Sequence, residues 1–176
     1  MPSMTAHRTT ITILPLAAEK THVWIDANVM SRGGREVPRL SRFWDDVTAG
    51  RRVIFAAWQD EDFLGHVTVQ ELSDYQPFRR SRIPEIVDLW VQPEHRRRGV
   101  AQALLTEAEN HTAAKGYAAI GLGVGVTADY GPAHRLYAAR EYRPDGTGLW
   151  AQGAPTKNGE KITLDDDVLL MLVKTL

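Results

Sequence analysis

The chain has 176 residues, of which 43% are hydrophobic and 24% charged, and these values predict one globular domain. The net charge of −1 argues against a nucleic-acid partner and against attachment to an acidic membrane surface. The sequence has no cysteine, which excludes disulfides, thiolate metal sites and a cysteine nucleophile. No apolar run reaches the roughly 18 residues that a membrane span requires. We expect a cytoplasmic protein with residues 1–7 as a flexible leader and residues 8–176 as a single domain.

The first half of the chain predicts an antiparallel arrangement. Apolar and β-branched runs predict strands at residues 8–14, 51–58 and 63–72, and the last two are separated by an acidic turn as in a hairpin. Apolar spacings of three and four predict helices at residues 16–30 and 38–48, with a glycine turn at 31–34 between them. Residues 73–82 are predicted as a loop.

The second half alternates strands and helices. The predicted elements are a strand at 86–91, a helix at 98–115 that ends before Gly116, a strand at 117–126, a helix at 130–141, and strands at 142–151 and 168–173. This order lacks the regular alternation of a doubly wound fold. It predicts a mixed α/β domain with a mostly antiparallel sheet of about six to seven strands, flanked by helices.

The turn after the strand at 86–91 is the sharpest functional signal. Arg96, Arg97, Arg98 and Gly99 stand directly before an amphipathic helix. The free backbone N–H groups and the dipole of a helix start bind phosphate, and a glycine there allows close approach. The alternative is a solvated basic turn with no ligand. The nucleotide-binding patterns GxxxxGK[ST] and GxGxxG are not found at this turn.

Two spaced motifs resemble the GNAT family of N-acetyltransferases. The segment from Arg96 to Ala101 is similar to the family signature [RQ]-x-x-G-x-[GA], and it follows a strand and Pro-Glu turn of the same type, from Leu89 to Glu94. Downstream, the stretch from Ala133 to Tyr137 resembles the A-x-x-L-Y helix of the family. The resemblance implies a sheet with a splayed central strand pair, acetyl-CoA as donor and no metal. Dimers are frequent in the family, so a homodimer is also an expectation.

The resemblance also implies a cofactor site. Arg96 opens the signature, and the pyrophosphate would bind the backbone amides of Arg97, Arg98, Gly99, Val100, Ala101 and Gln102. The pantetheine arm would pair with the backbone of Leu89, Trp90 and Val91. Gly121, Gly123 and Gly125 share one face of the next strand, and that bare face fits either close approach of a backbone or ligand, or room for a packed helix.

Tyr137 and Asp88 are the candidate catalytic residues. The resemblance places Tyr137 near the CoA sulfur as general acid, whereas the alternative is a core tyrosine. Asp88 interrupts an apolar strand and is predicted to share a face with Ile86 and Trp90, where a carboxylate is costly unless it is paired or faces a cleft. We favour Asp88 as the general base. Other candidates are Glu71, Glu85 and Asp129, whereas His66 and His134 are interpreted as structural.

The sequence departs from the family at two positions, and its acceptor pocket is the least determined part. Tyr130 replaces a frequent asparagine, and Glu141 replaces a glycine that ends the helix, so Glu141 is either strained or ends the helix differently. The first two helices and the loop at 73–82 usually line the pocket in this family. They nominate Trp24, Asp26, Phe43, Trp44, Tyr75 and Phe78, although most of these side chains also fit a core.

These patterns predict an N-acetyltransferase that moves acetyl from acetyl-CoA to a primary amine of a small molecule by direct attack. The alternatives are an acetyltransferase acting on protein N-termini or lysines, and a non-catalytic acyl-CoA-binding sensor module. A nucleic-acid binder that uses the arginines at 79–82 and 96–98 is opposed by the near-neutral charge.

Overall fold

The computed structural model describes residues 10–32 and 37–176, and these form one sheet with helices on both faces. The strands are β1 (Thr12–Pro15), β2 (Arg52–Gln59), β3 (Asp62–Gln70), β4 (Glu85–Val91), β5 (Ala119–Gly125), β6 (Arg143–Ala151), β7 (Ala154–Pro155) and β8 (Val168–Thr175). The helices are α1 (Thr21–Arg32), α2 (Val37–Thr48), α3 (Gln76–Ser81), α4 (Val100–Ala114) and α5 (Gly131–Ala139). None of these helices is long and apolar enough to cross a lipid bilayer.

The sheet confirms the predicted mixed and mostly antiparallel class. Its strand order is β1-β2-β3-β4-β5-β8-β6-β7, and every neighbouring pair is antiparallel except β4 and β5. The sheet has eight strands rather than six to seven, and the short β7 lies between the predicted strands at 142–151 and 168–173, where no strand was predicted. The leader and the residues at 8–9 and 33–34 lie outside the described part of the chain.

Two local predictions are corrected. Residues 73–82 contain the helix α3, which has only Phe78 as a buried residue and therefore no apolar period to detect. Pro77 stands in its first turn, and Arg82 ends it in the left-handed conformation. The predicted turn at 31–34 begins late, because α1 continues through Ser31 and Arg32.

The two faces of the first half-sheet pack against different helices. On one face, Val67, Val69 and Ile86 join a buried cluster with Leu104 and Leu105 of α4. On the other face, Ile54, Ala56 and Trp90 form a second cluster with Trp24 of α1 and Leu40 of α2. Each fully buried aliphatic or aromatic side chain contributes about 1.5–3 kcal/mol to folding. The sheet is thus held from both sides, which fixes β3 and β4 between two rigid layers.

A buried carboxylate connects α4 to the end of the chain. Glu109 accepts hydrogen bonds from Arg140 (2.6 Å), Lys174 (2.7 Å) and the Tyr142 hydroxyl (3.2 Å). Because Arg140 follows α5 directly and Lys174 lies on β8, these bonds join three elements around one side chain. They fix the position of α5 relative to α4.

Candidate active site

The parallel strands β4 and β5 diverge after two residue pairs. They are in register only at Glu85 with Gly121 and Ile86 with Leu122. Beyond that point β4 follows β3 as far as Val91, and β5 follows β8 as far as Gly125. Within the described residues, the edge of Leu89–Val91 that faces β5 therefore has no strand beside it. The two strands enclose a gap at the centre of the sheet.

The basic turn stands at the wide end of this gap. Arg97 and Gly99 have φ angles of 59° and 85°, and Gly99 precedes α4 without a side-chain hydrogen bond to cap the helix. A left-handed non-glycine residue costs about 1–3 kcal/mol and persists where the surroundings impose it. Residues 96–99 are exposed. The first-turn N–H groups of α4 consequently have no side-chain acceptor from Gly99, as an anion site requires.

The three arginines of the turn have different partners. Arg96 donates through Nε to the carbonyl of Val91 at 3.1 Å and so joins the turn to the end of β4. Arg98 reaches the side chains of His95 (3.1 Å) and Gln59 (3.4 Å). Among residues 10–32 and 37–176, no hydrogen bond or ion pair is formed by the Arg97 side chain. Arg96 and Arg98 thus shape the turn, and Arg97 extends from it.

Tyr137 belongs to the cluster on the α4 side of the sheet that also contains Val91 of β4 and Val124 of β5, the two strands that border the gap. It lies on α5, is 7% exposed and packs its ring edge against Tyr142, with the ring centroids 5.7 Å apart. Burial, with smaller contributions from the charge of Asp88 and from Tyr130, raises the pKa of Tyr137 to about 12. The hydroxyl is therefore protonated at neutral pH.

Asp88 shares a face with only one of the two residues that its strand position predicts. Thr68 of β3 pairs with Asp88, but the next residue, Val69, pairs with Ile86, so Val87 is an extra residue in β4. This β-bulge shifts the alternation by one position. The prediction that Asp88 shares a face with Ile86 is therefore wrong, whereas its shared face with Trp90 is confirmed. Asp88 faces α2, and Ile86 faces α4.

The Asp88 carboxylate is paired, as its burial requires. Its side chain is 9% exposed, and Oδ2 lies 3.2 Å from Nη2 of Arg39 and 3.2 Å from Nε2 of His66. Arg39 projects from α2, and His66 lies on the neighbouring strand β3. The sequence alone did not indicate either partner, because they stand 49 and 22 residues away in the chain.

The face around Asp88 is polar although helices cover it. Cross-strand pairing places Gln70 between Arg52 and Glu85, and Thr68 beside Asp88. Four buried atoms on this face have no hydrogen-bond partner in the described structure: Arg52 Nη1, His66 Nδ1, Thr68 Oγ1 and Gln70 Oε1. Such atoms are normally satisfied by ordered water or by a ligand. The alternation of polar residues at 66, 68 and 70 was the sequence signal for this face.

The glycine stripe of β5 is filled by protein side chains. A Cβ at Gly121 would lie 2.2 Å from the ring of Phe78, and one at Gly125 would lie 2.4 Å from the ring of Tyr130. The packing alternative is therefore the correct interpretation of this face. Tyr130 also donates a hydrogen bond to Asp166 (2.8 Å). Glu141 has a φ of 70°, so it takes the left-handed conformation that a glycine would adopt without strain.

The other candidates have structural partners or lie elsewhere. Glu71 forms an ion pair with Lys115, Glu85 accepts a hydrogen bond from Ser73 (2.5 Å), and His134 lies 2.8 Å from the carbonyl of Gly125. Of the nominated pocket residues, the core contains Trp24, Tyr75 and Phe78; the half-buried ones are Phe43 and Trp44. Asp26 is exposed and lines a separate groove of about 490 Å³.

The chain matches a family profile by its sequence and solved structures by its fold. The profile of the acetyltransferase (GNAT) family matches residues 20–142. A comparison with curated proteins gives no match. The PaiA N-acetyltransferase of Thermoplasma acidophilum, solved in complex with coenzyme A, is 14% identical with a TM-score of 0.62, covering 95% of this chain and 99% of that chain.

Two further solved structures have the same fold. The spermidine/spermine N-acetyltransferase SpeG of Vibrio cholerae is 15% identical with a TM-score of 0.64, covering 94% of this chain and 95% of that chain. An acetyl transferase of Salmonella typhimurium that modifies the N-terminal serine of a ribosomal protein is 10% identical with a TM-score of 0.69, covering 96% of each chain. The matched profile spans the arginine turn, the strand of Asp88 and the helix of Tyr137, and it confirms the resemblance: the chain belongs to the GNAT acetyltransferases, which are acetyl-CoA-dependent N-acetyltransferases.

Proposed function

We propose that this protein acetylates a primary amine of a small molecule by direct attack, with Asp88 as general base and Tyr137 as general acid. The observation that carries the proposal is that a buried carboxylate on β4 and a buried tyrosine in the cluster of Val91 and Val124 lie on opposite faces of the sheet, beside one gap. The charge of Asp88 also contributes to the raised pKa of Tyr137. A base on one side and an acid on the other is the arrangement that acyl transfer to an amine requires.

The turn before α4 fits the donor. The uncapped helix start, the left-handed Gly99 and the exposed arginines suit a pyrophosphate bound to the backbone amides from Arg97 to Gln102. The edge of Leu89–Val91 that faces β5, which has no strand beside it among the described residues, suits the amides of a pantetheine arm. Acetyl-CoA supplies the reactive thioester. The chain itself contains no cysteine to carry the acetyl group, which favours direct attack.

The two side chains have complementary proton roles. Asp88 accepts a proton from the ammonium of the acceptor, directly or through ordered water, so that the amine becomes nucleophilic. Tyr137 donates a proton to the departing sulfur. Its pKa of about 12 supports this role, because the hydroxyl is protonated at neutral pH and can donate its proton to the departing thiolate.

The recessed position of both groups supports a small acceptor. Asp88 and Tyr137 are 9% and 7% exposed, so a folded protein could reach them only through an extended terminus or a lysine side chain. A small amine has no such restriction. The polar face around Asp88 offers further hydrogen-bonding groups to an acceptor with several polar atoms.

The test measures thiol release from acetyl-CoA with a panel of small primary amines, peptides with free N-termini and lysine peptides with blocked N-termini. We expect the highest kcat/KM for a small amine. Preference for a peptide would support the protein acetyltransferase instead. Tight CoA binding without turnover on any amine would support the sensor module.

A glycine substitution tests the donor site. Gly99→Glu places a negative side chain at the proposed pyrophosphate position, and we expect CoA binding, measured by calorimetry, to be lost. Gly159→Glu is the matched control, because Gly159 has a similar φ (82° against 85°) and equally open surroundings. Normal CoA affinity in Gly99→Glu would contradict this placement.

A further inference from the structure

His66 is a buried polar side chain that the proposed chemistry does not use. It is 0% exposed on β3, and three aromatic rings surround it: Trp24, Phe63 and Trp90, with centroids at 5.8, 6.3 and 6.0 Å from its own. Nε2 lies 3.2 Å from Oδ2 of Asp88. Nδ1 has no hydrogen-bond partner among the described residues.

These contacts determine which nitrogen carries the hydrogen. An ionised carboxylate only accepts hydrogen bonds, so Nε2 of His66 must be the donor to Asp88. The hydrogen bond to Asp88 therefore places a hydrogen on Nε2. Among the described residues Nδ1 has no hydrogen-bond partner, so they offer no protein group to which His66 could pass a proton.

Asp88 needs a rigid neighbour because of its backbone position. It directly follows the bulge residue Val87, where the ladder of β3 and β4 is interrupted. Its second partner, Arg39, is a long side chain that is 30% exposed on α2. His66 is held by close packing on all sides and therefore offers the more rigid of the two contacts.

We propose that His66 is a positioning residue that holds the Asp88 carboxylate in one orientation by donating from Nε2, and that it does not relay protons. This inference rests on the proposed role of Asp88. It assigns a function to a histidine that would otherwise be a core residue. It predicts that kcat depends on a hydrogen-bond donor at the position of Nε2 and not on the imidazole ring itself.

Two substitutions separate positioning from the other roles. His66→Leu fills the site without a donor, and we expect kcat to fall by about 10²-fold, the cost of misplacing a catalytic group by about 1 Å, with an unchanged KM for acetyl-CoA. His66→Gln keeps an amide N–H near the position of Nε2 and is expected to restore most of this loss. Wild-type kcat in His66→Leu would show a purely structural role. A Gln variant as inactive as the Leu variant would show a proton relay, and either result overturns the proposal.

A second measurement does not depend on turnover. The ¹⁵N shifts of His66 in the wild-type protein should show a hydrogen on Nε2, and the Nε2 resonance should move in Asp88→Ala. If no amine is acetylated by the wild type, the proposed function fails, yet these shifts still test the contact. An Nε2 without a hydrogen, or an Nε2 resonance that is unchanged in Asp88→Ala, would overturn the inference even if the enzyme is active.

Discussion

The two faces of the sheet formed by β2, β3 and β4 differ in polarity. One face stabilises the fold, and the other carries the proposed general base. The face toward α4 is uniformly apolar, with Val67, Val69 and Ile86 in one continuous cluster. The face toward α1 and α2 begins with Trp90 beside His66 and becomes polar within two rows, through Thr68 and Asp88 to Gln70 and Glu85. Burial of the first face stabilises the fold. The second face buries polar atoms that have no hydrogen-bond partner among the described residues.

The bulge at Val87 produces part of this difference. Without the extra residue, strand alternation would place Asp88 and Ile86 on the same face. The inserted residue thus allows Ile86 to pack against α4 while Asp88 lies on the polar face. The predictions below test this division of roles.

The largest effect is expected on the apolar face. Leu104→Ala removes a fully buried side chain of α4 and should lower the free energy of unfolding by about 2–5 kcal/mol. Urea unfolding measures the change. Leu164→Ala is the control, because Leu164 is exposed and should change stability by less than about 0.5 kcal/mol. Equal losses in both variants would contradict the assignment of α4 to the core.

The next effect concerns the proposed general acid, which belongs to the apolar cluster. Tyr137→Phe keeps the ring in its cluster and removes the hydroxyl, so kcat should fall by about 10²-fold while CoA affinity stays nearly intact. Tyr142→Phe is the comparison, since that hydroxyl donates to Glu109 rather than facing the gap, and its loss should lower stability more than turnover. An unchanged kcat in Tyr137→Phe would remove Tyr137 from the acid role.

On the polar face we expect a smaller change in the free energy of unfolding, and this change should be stabilising. Thr68→Val replaces a buried hydroxyl that has no partner among the described residues with a methyl group of similar size, and should raise stability by about 1 kcal/mol. Thr112→Val on α4 is the matched control. The Thr112 hydroxyl donates to the carbonyl of Ala108 at 2.8 Å, so its removal should bring no gain. Destabilisation by Thr68→Val would indicate that ordered water satisfies this hydroxyl.

The smallest effect is a pH dependence at Glu85. Burial raises the pKa of Glu85, although the Ser73 hydrogen bond opposes this shift. The folded protein therefore binds this proton more tightly than the unfolded chain, and the associated stability is present below the ordinary pKa and lost as pH rises through the folded value.

Glu85→Gln removes this dependence. We expect the variant to have a higher Tm than the wild type at pH 7 and the same Tm at pH 4, measured by thermal unfolding at both values. A gain of equal size at both pH values would mean that packing, rather than ionisation, is responsible.

The elements with a strong apolar period were predictable from the sequence. The arginine turn was correctly predicted to lie between a strand and a helix. The errors have local physical causes. Asp88 was wrongly placed on the same face as Ile86 because the alternation rule assumes an unbroken ladder, and nothing in the sequence around Val87 marks an inserted residue. The six-residue α3 carries no period, since Phe78 is its only buried side chain.

Long-range contacts set the other limit of prediction. The glycines of β5 leave room, but the sequence does not show whether a ligand or a ring fills it. The answer depends on Phe78 and Tyr130, which come from other elements. The contact between His66 and Asp88 likewise joins residues 22 positions apart, and it exists only because β3 and β4 are neighbours.

The brief pairing of β4 with β5 has a mechanical consequence. At two residue pairs, the strands join one half-sheet, β1 to β4, to another made of β5, β8, β6 and β7. Little backbone bonding resists a change in the angle between these halves. A donor arm bound in the gap as proposed would act as an additional strand and bridge them. The substrate would then complete the architecture of the enzyme, and amide hydrogen exchange along Leu89–Val91 should slow when CoA binds.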